Sequence, residues 1–169
     1  MASPPDPTVD SAAARETGTK KGRVLALDYG QKRIGIAVSD ELCLTSSPLE
    51  TLERTNRRDD VRRLRAVVRE HCVRRIIVGL PLHLDGGNSE MAAEVRRFAA
   101  RIAKQLGLPV EMVDERLTSW DAAQMEVSAR RRAGARSITR DDVAAAIILR
   151  DYLEEQSSRN RPDLAAGKS

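Results

Sequence analysis

Two short runs, VLALD from Val24 to Asp28 and IIVGL from Ile76 to Leu80, are almost wholly apolar and do not alternate with polar residues. Strands read this way when both of their faces are covered, so the sheet they belong to lies between helices. The neighbouring pattern agrees. IGIAVS alternates at Ile34, Ile36 and Val38, a second strand. A third is expected from Leu42 to Leu49, closed by Pro48, and the three form an antiparallel meander. YGQKR makes the first turn, where Gly30 can adopt a positive φ. NRRDDVRRLRAVVREHC places Val61, Leu64, Val67 or Val68, and Cys72 on one helical face. RRIIVGL is the fourth strand. NSEMAAEVRRFAARIAKQLG has a helical stripe of Met91, Val95, Phe98, Ile102 and Leu106, stopped by Gly107 and Pro109. VEMVDER is the fifth strand. Thr118 and Thr139 can cap two further helices, the second running to about Glu155, with Asp121 and Asp142 three residues past the caps. The fold class expected is α/β: a five-stranded mixed sheet, element order βββαβαβαα, with helices on both faces.

A chain of 169 residues suits one domain with a full core, placed at 23–155. Residues 1–22 are rich in Pro, Ser, Thr and charge and lack a hydrophobic signal core, so a disordered tail is expected there. Residues 156–169 read as a flexible tail. No apolar run approaches the ~18–20 residues of a membrane span, and a cytoplasmic protein is expected. Cys43 and Cys72 have no CxxC spacing, so buried, reduced thiols are expected, with an inter-chain disulfide as the alternative.

Net charge is +4, and only five of the 29 basic residues are lysines. Arginine forks match phosphate geometry, so an anionic partner follows, unless the arginine merely reflects genomic base composition. The aromatics are Tyr29, Phe98, Trp120 and Tyr152. That is too few for stacking a single strand, which favours recognition through phosphates and helix shape.

Three acids carry the chemistry. Asp28 ends a buried strand before a glycine turn, where a carboxylate is costly unless paired or metal-bound; capping the turn is the competing role. Asp114 and Glu115 end another strand and point to opposite faces, so at most one shares a site with Asp28. A salt bridge to Arg116 would also explain either. Asp141 opens the last helix in line with Ala145, Ile148 and Tyr152, its apolar face, while Asp142 falls further round and suits capping. A favourable place on the helix dipole is the alternative for Asp141. Carboxylates at the ends of separate elements can converge on hard cations such as Mg²⁺ or Mn²⁺. Two such ions, about 3.5–4 Å apart, can hold a phosphodiester for in-line attack by water. His71 and His83 are isolated, and nothing has zinc-ligand spacing.

Two loops could meet phosphate. Gly79, Pro81, Gly86 and Gly87, with Gly30, shape turns that can present backbone N–H groups to an anion, or serve as simple crossovers. Arg130, Arg131, Arg132, Arg136 and Arg140 surround Gly134 just before Asp141. A solvated charge run explains such a string; contact with a nucleic-acid backbone does so too.

In order, LALDYGQKRIGIAVSD, IIVGLPLHLDGG, VDERLTS and DDVAAAIILRDYL resemble the YqgF/RuvX family over about Arg23 to Leu153. Its members are described as Holliday-junction resolvases and as nucleases maturing the 5′ end of pre-16S rRNA. The resemblance implies an RNase H-like fold and makes Asp28, Glu115 and Asp141 the metal ligands, with Asp142 one position away. It matches Arg33 and Arg116 to motif arginines with phosphate or structural roles. His83 stands where the family usually has Asn, and DERLTS replaces DERLTT; neither touches a proposed ligand.

The expected activity is therefore a Mg²⁺- or Mn²⁺-dependent endonuclease acting on branched DNA, structured RNA or both. Symmetric cuts in a four-way junction would call for a homodimer, although no dimer face is evident. Two readings compete. A DxG turn also opens actin-like ATPases, but these need a second, similar domain. A non-catalytic RNA-binding assembly factor would keep the acids for structure alone.

Overall fold

The computed structural model describes residues 22–80, 90–114 and 140–159. Five strands form one sheet: β1 (Arg23–Tyr29), β2 (Arg33–Ser39), β3 (Ser46–Glu53), β4 (Val73–Leu80) and β5 (Val110–Asp114). Their order is β3-β2-β1-β4-β5. The β1–β2 and β2–β3 pairs are antiparallel, while β1–β4 and β4–β5 are parallel. The expected mixed sheet is thus present, with the unalternating strands β1 and β4 at its centre.

Three helices are described: α1 (Arg57–Glu70), α2 (Glu90–Leu106) and α3 (Arg140–Arg159). Strand alternation sorts the core into two layers. Leu25, Leu27 and Tyr29 of β1 join Ile34, Ile36, Ile76 and Val78 beneath α1 and α2, meeting Leu64, Val95, Phe98 and Ile102. Val24, Ala26, Ala37 and Ile77 face the other way, against Ala145, Ile148, Leu149, Tyr152 and Leu153 of α3. Ala26 and Ala37 are small, which lets α3 lie close.

Several boundaries differ from expectation for identifiable reasons. β3 starts at Ser46, not Leu42. Asp40 Oδ1 accepts from the backbone N–H groups of Leu44 (2.7 Å) and Thr45 (2.9 Å), so this stretch is a turn, and Leu42 and Leu44 are exposed. Pro48 does not close the strand but lies within it, opposite Ala37 at a register shift. An edge strand tolerates a missing donor there. Cys72 does not continue the α1 stripe, because the helix ends at Glu70 with His71 as cap. Cys72 is exposed at φ 53 and Cys43 half-buried at φ 56; both are free thiols, and neither is the fully buried group expected. Gly107 does terminate α2 in the left-handed region, at φ 68. α3 runs to Arg159, four residues past the expected end near Glu155. The helix expected after Thr118, the tail 1–21 and residues 160–169 lie outside the described residues. Among the described residues, no helix is long and apolar enough to cross a membrane.

Candidate active site

Asp28 continues the series Val24, Ala26 on the α3 face of β1, at the strand's C-terminal end. Its cross-strand partner is Gly35 of β2, and Gly35 in turn pairs with Thr51 of β3. Over this line of residues sits the first turn of α3. A Cβ on Gly35 would overlap the carbonyl oxygen of Asp141, so only glycine lets the helix N-terminus approach the sheet here. That close approach brings Asp141 to the recess that Asp28, Gly30, Lys32 and Arg33 also line.

The two acids of α3 divide the roles differently from expectation. At 3.6 residues per turn they straddle the apolar stripe, each about 50° from its centre. Asp141 is half-exposed toward the recess, with Arg33 Nη1 3.7 Å from its Oδ2. Asp142 is buried, at 4% exposure, and accepts a hydrogen bond from the Thr51 hydroxyl. It anchors α3 to β3 rather than simply serving the helix cap.

Asp28 is the perturbed group. Its pKa is raised from 3.8 to about 6, first by burial and then by the negative charge of Asp141. A partly buried carboxylate facing a second one is an arrangement that a cation relieves. Among the described residues, no group of three or more His, Cys, Asp or Glu side chains is placed to hold a metal. Asp28 and Asp141 supply two carboxylates. Glu115 and Arg116 lie outside the described residues, as do Arg130, Arg131, Arg132 and Arg136 and the loop glycines Gly86 and Gly87 with Pro81. Arg140 begins α3, and its side chain is likewise outside.

The turn that follows Asp28 is held from the other side of the sheet. Arg54 Nη1 donates to the carbonyls of Gly30 (3.0 Å) and Gln31 (3.1 Å). The Arg54 backbone N–H donates to the Lys32 carbonyl at 2.9 Å. Its guanidinium lies 4.4 Å from the Tyr29 ring centroid and pairs with Asp60 (3.4 Å) and Glu94 (3.7 Å). Burial raises the pKa of Tyr29 to about 12, helped by the hydroxyl proton it donates to Glu94 at 2.6 Å.

Two glycines expected in phosphate-binding turns are placed differently in the structure. Gly30 is not at positive φ, which among the described glycines belongs to Gly107. Its constraint is a close approach: its N–H donates to the Arg33 carbonyl at 2.8 Å, and a Cβ would lie 2.7 Å from that oxygen. Gly79 is not in the loop but inside β4, paired with Val113. Sequence reasoning missed Lys32, Gly35 and Thr51. A glycine within an otherwise β-branched strand was the available signal for Gly35.

A family profile described as "RuvX: Holliday junction resolvase" matches residues 22–155. A protein of Koribacter versatilis (strain Ellin345), named "Putative pre-16S rRNA nuclease", is 42% identical over 146 residues, covering 84% of this chain and 93% of that one. One of Thermosynechococcus vestitus with the same name is 41% identical over 144 residues, covering 85% and 95%. Among solved structures, T. thermophilus RuvC in complex with Holliday junction substrate superposes with a TM-score of 0.50 at 17% identity, covering 80% of this chain and 96% of that one. The shared fold is RNase H-like.

Proposed function

This chain belongs to the RuvX family and is a nuclease; we propose that it is a divalent-metal-dependent endonuclease acting on structured nucleic acid, and that Asp28 is at its centre. The observation that carries the reading is the pair Asp28 and Asp141, two carboxylates on one recess beside Lys32 and Arg33. The donor set is all oxygen, which suits Mg²⁺ or Mn²⁺. Val113 packs on the α3 side, so alternation turns Asp114 to the opposite face and leaves Glu115 as the third acid we propose. A divalent cation held by these acids would supply Lewis-acid activation of the scissile phosphodiester.

The chain's own groups do the rest. β1, central in the sheet, fixes the Asp28 carboxylate. Gly35 sets how near Asp141 comes. Lys32 and Arg33 offer positive charge at the rim for the phosphates of the substrate, and Arg33 can leave its half-exposed ion pair with Asp141 at little cost. We assign Arg116, Arg130, Arg131, Arg132, Arg136 and Arg140 to backbone contacts on the same grounds of charge. The substrates proposed are a four-way DNA junction, pre-16S rRNA or both, and a junction substrate carries with it a homodimer, since two related cuts need two sites.

The test is incubation with Mg²⁺ or Mn²⁺ and two labelled substrates, a four-way DNA junction and a 5′-extended rRNA precursor, beside the Asp28→Asn variant. Cutting by the wild type alone supports the proposal, and the preferred substrate assigns the role. Tight binding by folded protein without cutting under either metal would replace it with a non-catalytic assembly role. Cutting that survives in Asp28→Asn would show that the chemistry lies elsewhere.

A further inference from the structure

α1 carries arginine at 58, 62, 65 and 69, a spacing of i, i+4, i+7 and i+11. Helical geometry gathers these into a band about 60° wide and about 16 Å long. All four are exposed, while Asp60, Val61, Leu64 and Val67 turn to the interior. The ridge is poorly balanced by acids. Arg62 meets Asp59 at 2.9 Å, and Arg65 donates to the Gln105 carbonyl at the end of α2 (3.0 Å). Arg58 and Arg69 have no carboxylate within ion-pair distance among the described residues. Arg101 and Lys104 extend the positive charge onto α2 beside Gln105.

Such a row carries a cost. Like charges at i, i+4 destabilise a helix by about 0.2–0.5 kcal/mol per pair. Arg69 gains from the helix dipole in the last turn, but Arg58 stands in the first turn, where the dipole opposes it. Among the described residues little offsets this, and an external anion would. The position narrows the choice further. α1 starts three residues after Arg54, which holds the Gly30–Gln31 turn at the rim of the recess, and the ridge leads away from that rim.

We propose that this ridge is a second phosphate-binding surface, on which a double-helical arm of the substrate lies while another part of the same molecule occupies the recess at Asp28. The partner's identity rests on the nuclease reading; the charge of α1 does not. Duplex DNA presents one phosphate per about 1.7 Å of axis, so a ridge of this length can engage several.

The experiment measures binding of a labelled four-way DNA junction in EDTA between about 50 and 200 mM salt, where phosphate neutralisation dominates the salt dependence. The variant combines Arg58→Gln, Arg62→Gln, Arg65→Gln and Arg69→Gln. A control carries Arg150→Gln and Arg159→Gln on α3. The slope of log affinity against log salt should shrink by about 0.9 for each phosphate that is no longer neutralised, hence by about 3–4 in the variant, and stay as wild type in the control. Thermal melting should show both variants folded, and cleavage at saturating substrate should be unchanged. A wild-type slope in the four-arginine variant overturns the proposal and leaves an acidic protein as the ridge's partner. Equal loss per charge in the control overturns it as well, reducing the ridge to general electrostatics. Steep, ridge-dependent binding without cleavage under either metal would sink the nuclease reading while the ridge stands.

Discussion

At Asp28, the proposed cation binding and stability pull against each other. Its folded pKa, about 6, lies above the ordinary 3.8 because burial and Asp141 disfavour the charged form. A raised carboxyl contributes stability that is fully present below 3.8 and is lost as pH rises through 6. Above that, the metal-free protein carries an ionised, partly buried acid at a cost of about 3 kcal/mol, from roughly two pKa units at about 1.36 each. Asp28→Asn should therefore stabilise the metal-free protein at pH 8 by about 2–3 kcal/mol and change it little at pH 4. Urea unfolding in EDTA at the two pH values is the check. A variant no more stable at pH 8 than the wild type would mean that the site imposes no electrostatic strain. The costly burial of Asp28 is readable from an acid ending an apolar strand. That Asp142 packs beneath α3 while Asp141 faces the recess is not, because both lie at similar angles from the apolar stripe and only Thr51, on a distant strand, separates them.

Elements decide how accurately that acid is held. Arg54 joins the end of β3 to the β1–β2 turn, to α1 through Asp60 and to α2 through Glu94. Its side chain is 17% exposed and that of Asp60 is 5% exposed, so removing the arginine strands a buried carboxylate. Arg54→Ala should destabilise the fold by about 3 kcal/mol, with Arg54→Lys recovering part of this because an ammonium keeps the charge but loses the fork. Denaturant titration measures both; a loss under about 1 kcal/mol would show the pair to be solvated like a surface bridge. Amphipathic elements are legible in advance: the α2 stripe Val95, Phe98, Ile102 is buried as its spacing requires. The start of β3 is not, because apolar content near Leu42 and Leu44 masks the turn chemistry of Asp40. Its end is obscured by Pro48, which would stop a central strand but is contained by one at the edge of the sheet. Arg54 is invisible as a site residue, since its partners come from three separate segments.

For the whole molecule, the sheet order makes β1 the most protected strand, paired on both sides and covered on both faces. α3 is fastened by packing, by Asp142 on Thr51 and by Tyr152, whose hydroxyl donates to Glu111 (2.9 Å) and accepts from Arg75 (2.9 Å). Native-state hydrogen exchange should therefore find the β1 amides of Leu25 to Leu27 among the slowest and those of the first turns of α3 faster, opening without global unfolding. Identical protection of both would mean a single cooperative unit. The overall architecture is legible because βαβ order and strand burial restrict topology strongly. The distance between the layers is not, since it depends on the small residues Ala26, Gly35 and Ala37 meeting a helix from the far end of the chain.

That last dependence sets when the site comes into being. On the ribosome, β1 with Asp28 is made early, and α3 with Asp141 follows only after every strand of the sheet described above. Until α3 emerges and docks over Gly35, the nascent chain holds one of the two acids and not the other. Synthesis itself thus acts as a timer, and a truncated chain ending before α3 would be a sheet with its central acid in place and nothing to complete it.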